Sequence, residues 1–133
     1  MDNIQGFKDV KRGGILFPFE LTSVPFIPKR IFWIKDVPAG SIRGGHAHKN
    51  CQQIYICIKG RIEVEIIGDY NSDKGDRVEV LGEGTILFID KLIWTMEQFD
   101  TEKAILLVLC SHPYDKDDYI YDVKELKEYV KNG

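Results

Sequence analysis

Two of the chain's three histidines, His46 and His48, fall within GSIRGGHAHKNCQQIYICIKG, the stretch from Gly40 to Gly60. Arg43 precedes them, Lys49 follows at once, and Gln53 stands further along the same stretch. A histidine in a partly desolvated pocket titrates near neutral pH and takes or gives a proton, so the pair suits acid–base catalysis. Arg43 and Lys49 flank it as anion-binding groups, and the arginine fork is the more specific device for phosphate. Gly44 and Gly45 carry no side chain and leave room for a bulky ligand against the backbone. The plainer alternative is two histidines that hydrogen-bond in a barrel mouth and do no chemistry.

Such residues need a rigid frame. From residue 30 onward, short β-rich runs recur between turn signals: RIFWI, QQIYICI, RIEVEII, DRVEVL, GTILFI, LIWTMEQF and KAILLVLC. That spacing predicts an all-β barrel or sandwich. Ile62, Val64 and Ile66 alternate with Arg61, Glu63 and Glu65, a half-buried strand with one wet face. Lys59–Gly60 then reads as a hairpin turn, and Gly68 to Asp76 as an exposed loop. Asp122, placed three residues before Glu125, predicts the cap of a short C-terminal helix whose apolar stripe is Val123, Leu126 and Val130. Residues 1–29, interrupted by Gly13, Gly14, Pro18, Pro25 and Pro28, suit an arm or edge strands.

With 133 residues, 44% of them hydrophobic, the chain is long enough for one substantial core. One domain is expected, with an arm over 1–29, a barrel over 30–111 and a C-terminal segment and helix over 112–133. The net charge of −3 and isoelectric point near 5.6 offer no basic stripe for nucleic acid. No run approaches the ~18 apolar residues of a membrane span, and MDNIQGFKDVKRGG lacks the apolar core of a secretory signal. A cytoplasmic protein is expected. Cys51, Cys57 and Cys110 are odd in number and lack CxxC spacing, which argues against disulfides or a thiolate zinc site.

The spacing of Gly40, His46, His48, Gln53 and Gly60 resembles the first cupin motif, with Gln53 where a glutamate usually stands. In that motif two histidines on alternate strand positions point the same way into a small barrel. GTILFIDKLIWTMEQF has the shape of the second motif, but its histidine position falls on Thr95 or Trp94. An amide and a hydroxyl are poor substitutes for carboxylate and imidazole, so no metal is expected and the chemistry turns metal-free. Trp33, Tyr55 and Trp94 are candidates to stack on a base or a hexose, though strand aromatics read equally well as core. Trp94 leads, because the second motif points inward there.

Beyond these motifs, the chain resembles the WxcM-like, metal-independent cupins that act as sugar-nucleotide 3,4-ketoisomerases on dTDP-4-keto-6-deoxyhexoses. The matching segments are RGG (12–14), PFIPKRIFWI (25–34), RGGHAHK (43–49), QQIYICIKG (52–60), LIW (92–94), LLVLCS (106–111) and YDKDDYI (114–120). The resemblance implies a small jelly-roll barrel, a homodimer and a dTDP-linked keto-deoxysugar as substrate, with no cofactor. It makes His46 the general base and His48 a second acid–base group. Arg43 would stabilise the enediolate or the pyrophosphate, and Gln53 would bind sugar hydroxyls.

Some positions depart from that pattern. The family's strand reads Arg-x-Tyr-Tyr where this chain has Arg30, Ile31, Phe32 and Trp33; Thr95 and Met96 replace Arg or His followed by Glu. An aromatic is also frequent where Gly45 stands. Loss of the phenol at Phe32 keeps open a non-catalytic sugar-nucleotide binding module, and the incomplete ligand set a metal-dependent cupin.

Overall fold

The computed structural model describes residues 3–69 and 74–132. Two antiparallel sheets face each other as a small jelly-roll barrel. The strands in chain order are β1 (Phe7–Lys8), β2 (Ile15–Leu16), β3 (Arg30–Ile34), β4 (Ile42–His48), β5 (Gln53–Lys59), β6 (Ile62–Ile67), β7 (Arg77–Leu81), β8 (Ile86–Ile89), β9 (Trp94–Phe99), β10 (Ile105–Cys110) and β11 (Tyr119–Ile120). One sheet has the order β3-β10-β5-β8 and the other β11-β4-β9-β6-β7, while β1 and β2 form a separate ribbon. The helix α1 spans Val123–Asn132. Among the described residues, no helix is long and apolar enough to cross a membrane.

Strand parity fixes what each sheet shows to the interior. On β6, Ile62, Val64 and Ile66 are buried between the sheets and Glu63 and Glu65 face outward, as their alternation requires. On β5, Tyr55 and Cys57 point into the same core, which also holds Leu81, Phe99, Leu106 and Val108. The opposite face of β5 is apolar as well: Ile54 and Ile56 pack with Ile86 and Leu109 under Ile4, Phe19, Val24 and Phe26 of the N-terminal arm. That second burial explains why QQIYICI reads as a nearly continuous apolar run.

Lys59–Gly60 turns the chain but makes no hairpin. β5 pairs with β10 and β8, whereas β6 pairs with β7 and β9, so the turn carries the chain from one sheet to the other. Gly60 adopts φ 82°, and a Cβ there would lie 2.7 Å from Ala104 Cα. Of the loop expected over Gly68 to Asp76, residues 70–73 lie outside the described residues. At its ends, Gly68 N–H donates to Asp76 Oδ1 (3.0 Å) and Arg77 pairs with Asp69 (3.0 Å).

The C-terminal helix starts as its cap predicts. Asp122 Oδ1 accepts from Lys124 N–H and the Asp122 carbonyl from Leu126 N–H, both at 2.9 Å. Leu126 is buried against Ala47, Trp94 and Ile120, with Val123 and Val130 beside it. This cluster covers the outer face of the five-stranded sheet where β4 and β11 meet. All three cysteines are buried and unbridged.

Candidate active site

Strand β4 brings the histidine stretch to the interior. Its pairing with β9 sets Arg43 opposite Glu97, Gly44 opposite Met96 and His46 opposite Thr95, with a register shift between Gly44 and His46. Gly44 (φ 87°) and Gly45 (φ 84°) adopt the left-handed conformation that such an irregularity demands. Ala47 is fully buried on the outer face, so His46 and His48 share the inner one, their ring centroids 5.0 Å apart.

A cavity of about 350 Å³ lies between the sheets at this end. Arg43, Gly44 and His46 reach it from β4, Gln53 and Tyr55 from β5, Glu97 from β9 and Tyr119 from β11. Arg30, Phe32 and Trp33 line it from β3. Its volume is of the size that holds a small organic ligand. A separate cavity of about 280 Å³ lies under the arm, lined mainly by Ile4, Phe17, Phe19, Ile31, Ile56 and Leu109. It holds no histidine or arginine, so the acid–base chemistry belongs to the first.

His46 sits at the cavity wall with the Tyr119 ring 4.9 Å from its own. Burial, with a lesser push from His48, lowers its pKa from 6.5 to about 4. The imidazole is therefore neutral at pH 7 and free to accept a proton. His48 lies deeper, facing the side of the site: its Nδ1 is 3.1 Å from Asp118 Oδ2. Asp118 also accepts from Asn50 N–H (2.8 Å), Asn50 Nδ2 (3.1 Å) and Cys51 N–H (3.2 Å). The other ring nitrogen, Nε2, is buried without a hydrogen-bond partner.

The other expected residues divide. Gln53 lines the cavity, its Nε2 3.5 Å from Cys110 Sγ. Tyr55 is buried with its hydroxyl 3.1 Å from Thr95 Oγ1. Burial, with the Glu97 charge behind it, raises the Tyr55 pKa well above the ordinary phenol value. Trp33 stands at the rim, 63% exposed. Three residues are not brought to the cavity. Trp94 points the other way, into the cluster beneath α1, because parity gives the inward position to Thr95. Gly45 borders that same Trp94, a Cβ there lying 3.7 Å from Cζ2. Lys49 follows the end of β4 and sets its ammonium 5.6 Å from the Tyr129 ring of α1.

Glu97, Asp118 and Arg30 were not singled out by the sequence. Glu97 is 5% exposed, and one of its oxygens, Oε2, is buried without a partner. Burial raises its pKa to about 7, against the opposing pull of the Tyr55 hydrogen bond and the Arg43 charge. Arg30 lays its guanidinium over Phe32 (4.7 Å) and Tyr114 (5.2 Å) and hydrogen-bonds Tyr119. The fourth position of a cupin ligand set is thus a threonine hydroxyl bonded to Tyr55. Among the described residues, no three His, Cys, Asp or Glu side chains are grouped to hold a metal ion.

The family model described as FdtA, WxcM-like, C-terminal, matches residues 1–131. TDP-4-oxo-6-deoxy-alpha-D-glucose-3,4-oxoisomerase of Aneurinibacillus thermoaerophilus is 31% identical over 134 residues, covering 98% of this chain and 94% of its own. The crystal structure of QdtA, a sugar 3,4-ketoisomerase from Thermoanaerobacterium thermosaccharolyticum in complex with TDP, superposes with a TM-score of 0.82 at 31% identity, over 98% of this chain and 92% of that one. A 3,4-ketoisomerase from Helicobacter canadensis gives the same TM-score at 34% identity, over 97% and 94% of the two chains. The match extends from the arm through the barrel to the C-terminal helix, and the chain belongs to the FdtA, WxcM-like family.

Proposed function

We propose that this protein is a sugar-nucleotide 3,4-ketoisomerase, moving the ketone of a dTDP-linked 4-keto-6-deoxyhexose from carbon 4 to carbon 3 in deoxysugar biosynthesis. The carrying observation is a neutral imidazole, His46, at the wall of a cavity lined by arginines and hydrogen-bonding side chains. The similarity to 3,4-ketoisomerases over nearly the whole chain supports it.

The proton on carbon 3 is acidified by the neighbouring ketone, and His46 removes it while the oxygen on carbon 4 takes up a proton, giving an enediol. Returning a proton to carbon 4 while the oxygen on carbon 3 loses its own leaves the ketone at carbon 3. Atoms and electrons balance without a redox partner. His48, held by Asp118, packs its ring against His46 and positions it at the cavity wall. Arg43 lines the cavity, where a fixed cation in a low-dielectric site stabilises the charge that develops on the ketone oxygen in the transition state. Gln53 offers its amide to the sugar hydroxyls, and Trp33 stands at the rim. Phe32 supplies no hydroxyl, but the phenol of Tyr119 lies against His46 and gives the cavity another.

The protein acts in the cytoplasm, where activated sugars are made, and as a homodimer. Leu21, Ile31 and Ile58, all at least 44% exposed on the arm and the outer face of the four-stranded sheet, offer an apolar surface for a second copy. Light scattering should give twice the chain mass. Incubation with dTDP-4-keto-6-deoxyglucose should yield a 3-keto sugar by carbon NMR. Tight binding with the ketone still at carbon 4 would instead support the non-catalytic module that Phe32 and Thr95 suggest.

A further inference from the structure

Glu97 is the one carboxylate among the described residues that lines the cavity, and nothing in the reaction above uses it. Strand parity turns it inward beside Thr95, and Gly44 on the neighbouring strand makes room for it. A Cβ at Gly44 would overlap its Oε2. Its two oxygens differ in kind. Thr95 Oγ1 lies 3.1 Å from the Tyr55 hydroxyl, which is in turn hydrogen-bonded to Glu97. Oε2 has no partner at all. A protonated carboxyl fits this arrangement, one oxygen carrying the proton and the other able to accept a hydrogen bond.

From this arrangement we propose that Glu97 is a second proton-transfer residue, shuttling one proton between the sugar oxygens on carbons 4 and 3 while His46 works at the carbons. The proposal rests on the isomerase reading. In the first half, His46 takes the proton from carbon 3 and Glu97 gives its own to the carbon 4 ketone, leaving imidazolium, carboxylate and a neutral enediol. In the second, imidazolium protonates carbon 4 and the carboxylate takes the hydroxyl proton on carbon 3. Both side chains return to their starting states, and the uncharged intermediate avoids a bare oxyanion in a dry site.

The groups around Glu97 agree with a proton held near neutrality. β4 presents Arg43 and His46, β5 presents Tyr55 and Gln53, β3 presents Arg30 and β11 presents Tyr119. β6 packs Val64 opposite Glu97 and turns Glu63 and Glu65 to the outer surface. Burial outweighs the arginine charge and lifts the carboxyl to about 7.

The test compares wild-type protein and Glu97→Gln on dTDP-4-keto-6-deoxyglucose across pH 5 to 9, with dTDP binding by calorimetry as the check on folding. Wild-type kcat should fall about tenfold per pH unit once the acid form of Glu97 is lost, above about 7. Glu97→Gln should bind dTDP within about threefold of wild type, lose roughly 10²- to 10⁴-fold in kcat and lose that alkaline limb. A variant with kcat within threefold of wild type, or with the alkaline limb intact, overturns the proposal. Should the variant fail to bind dTDP, the wild-type profile decides alone: a kcat flat to pH 9 overturns it and the fall near 7 supports it. Absence of any wild-type turnover overturns the isomerase reading, and this proposal with it.

Discussion

His48 and Asp118 lie 70 residues apart in sequence, yet their side chains meet at 3.1 Å in a buried pair. The carboxylate holds the ring's orientation and at the same time ties the turn after β4 to the segment before β11. Every group around it donates a hydrogen bond. Asp118→Asn places an amide N–H among donors and should destabilise the protein by about 1–3 kcal/mol. It should also lower kcat, because His48 loses its orientation. Chemical denaturation and steady-state kinetics check both, and unchanged values in each would dissociate Asp118 from the histidine.

His46→Asn removes the base but keeps a polar side chain of similar reach. Affinity for dTDP should stay within about threefold, while turnover falls by roughly 10²- to 10⁴-fold. A variant that turns over at the wild-type rate would place the base elsewhere.

Gly44 and Gly40 share a left-handed backbone, φ 87° and 83°, but differ in surroundings. A Cβ at Gly44 collides with Glu97, whereas one at Gly40 meets nothing within 4 Å. Gly40→Ala should therefore show only the backbone penalty, about 1–2 kcal/mol, with activity intact. Gly44→Ala should lose more stability and displace Glu97, lowering kcat. Equal melting temperatures and equal rates for the two variants would contradict the packing described.

Opposite burial effects give the site a pH signature in stability. Glu97, raised from 4.5 to about 7, holds its proton in the folded state longer than in the unfolded one. Its contribution is full below 4.5 and is lost as pH rises through about 7, on the order of 3 kcal/mol in all. His46, lowered from 6.5 to about 4, works the other way: stability increases as pH rises from about 4 to 6.5. The two offset each other between pH 4.5 and 6.5. Glu97→Gln should match wild type at pH 4 and exceed it at pH 8, and His46→Asn, with the Glu97 effect no longer offset, should lose stability as pH rises from 4.5 to about 7. Urea melts at both pH values decide, and a Glu97→Gln gain independent of pH would contradict the assignment.

Much of this architecture is legible in the chain because strand alternation is a local signal. Ile62, Val64 and Ile66 declare their own face, and His46 and His48, two apart, declare theirs. β9 shows where the signal ends. In LIWTMEQF apolar residues occupy both faces, so nothing local says whether Trp94 or Thr95 points inward. The tryptophan was the natural choice, yet α1 arrives from a distant part of the chain to cover it. The same ambiguity hid Glu97, whose inward position follows from that parity. Asp118 sits in DKDD, which has the composition of a solvated loop, and its burial follows from meeting His48, Asn50 and Cys51, distant in sequence. Lys59–Gly60 carried a turn signal that was correct, but pairing partners are set by the whole barrel.

The central claim is proton transfer from carbon 3 to carbon 4 through an enediol in this cavity. Incubation with dTDP-4-keto-6-deoxyglucose in deuterated water, followed by proton and carbon NMR, tests it most directly. The account predicts a product with its ketone at carbon 3 and solvent deuterium at carbon 4. Substrate recovered with its ketone still at carbon 4 and no deuterium at carbon 3 would contradict it.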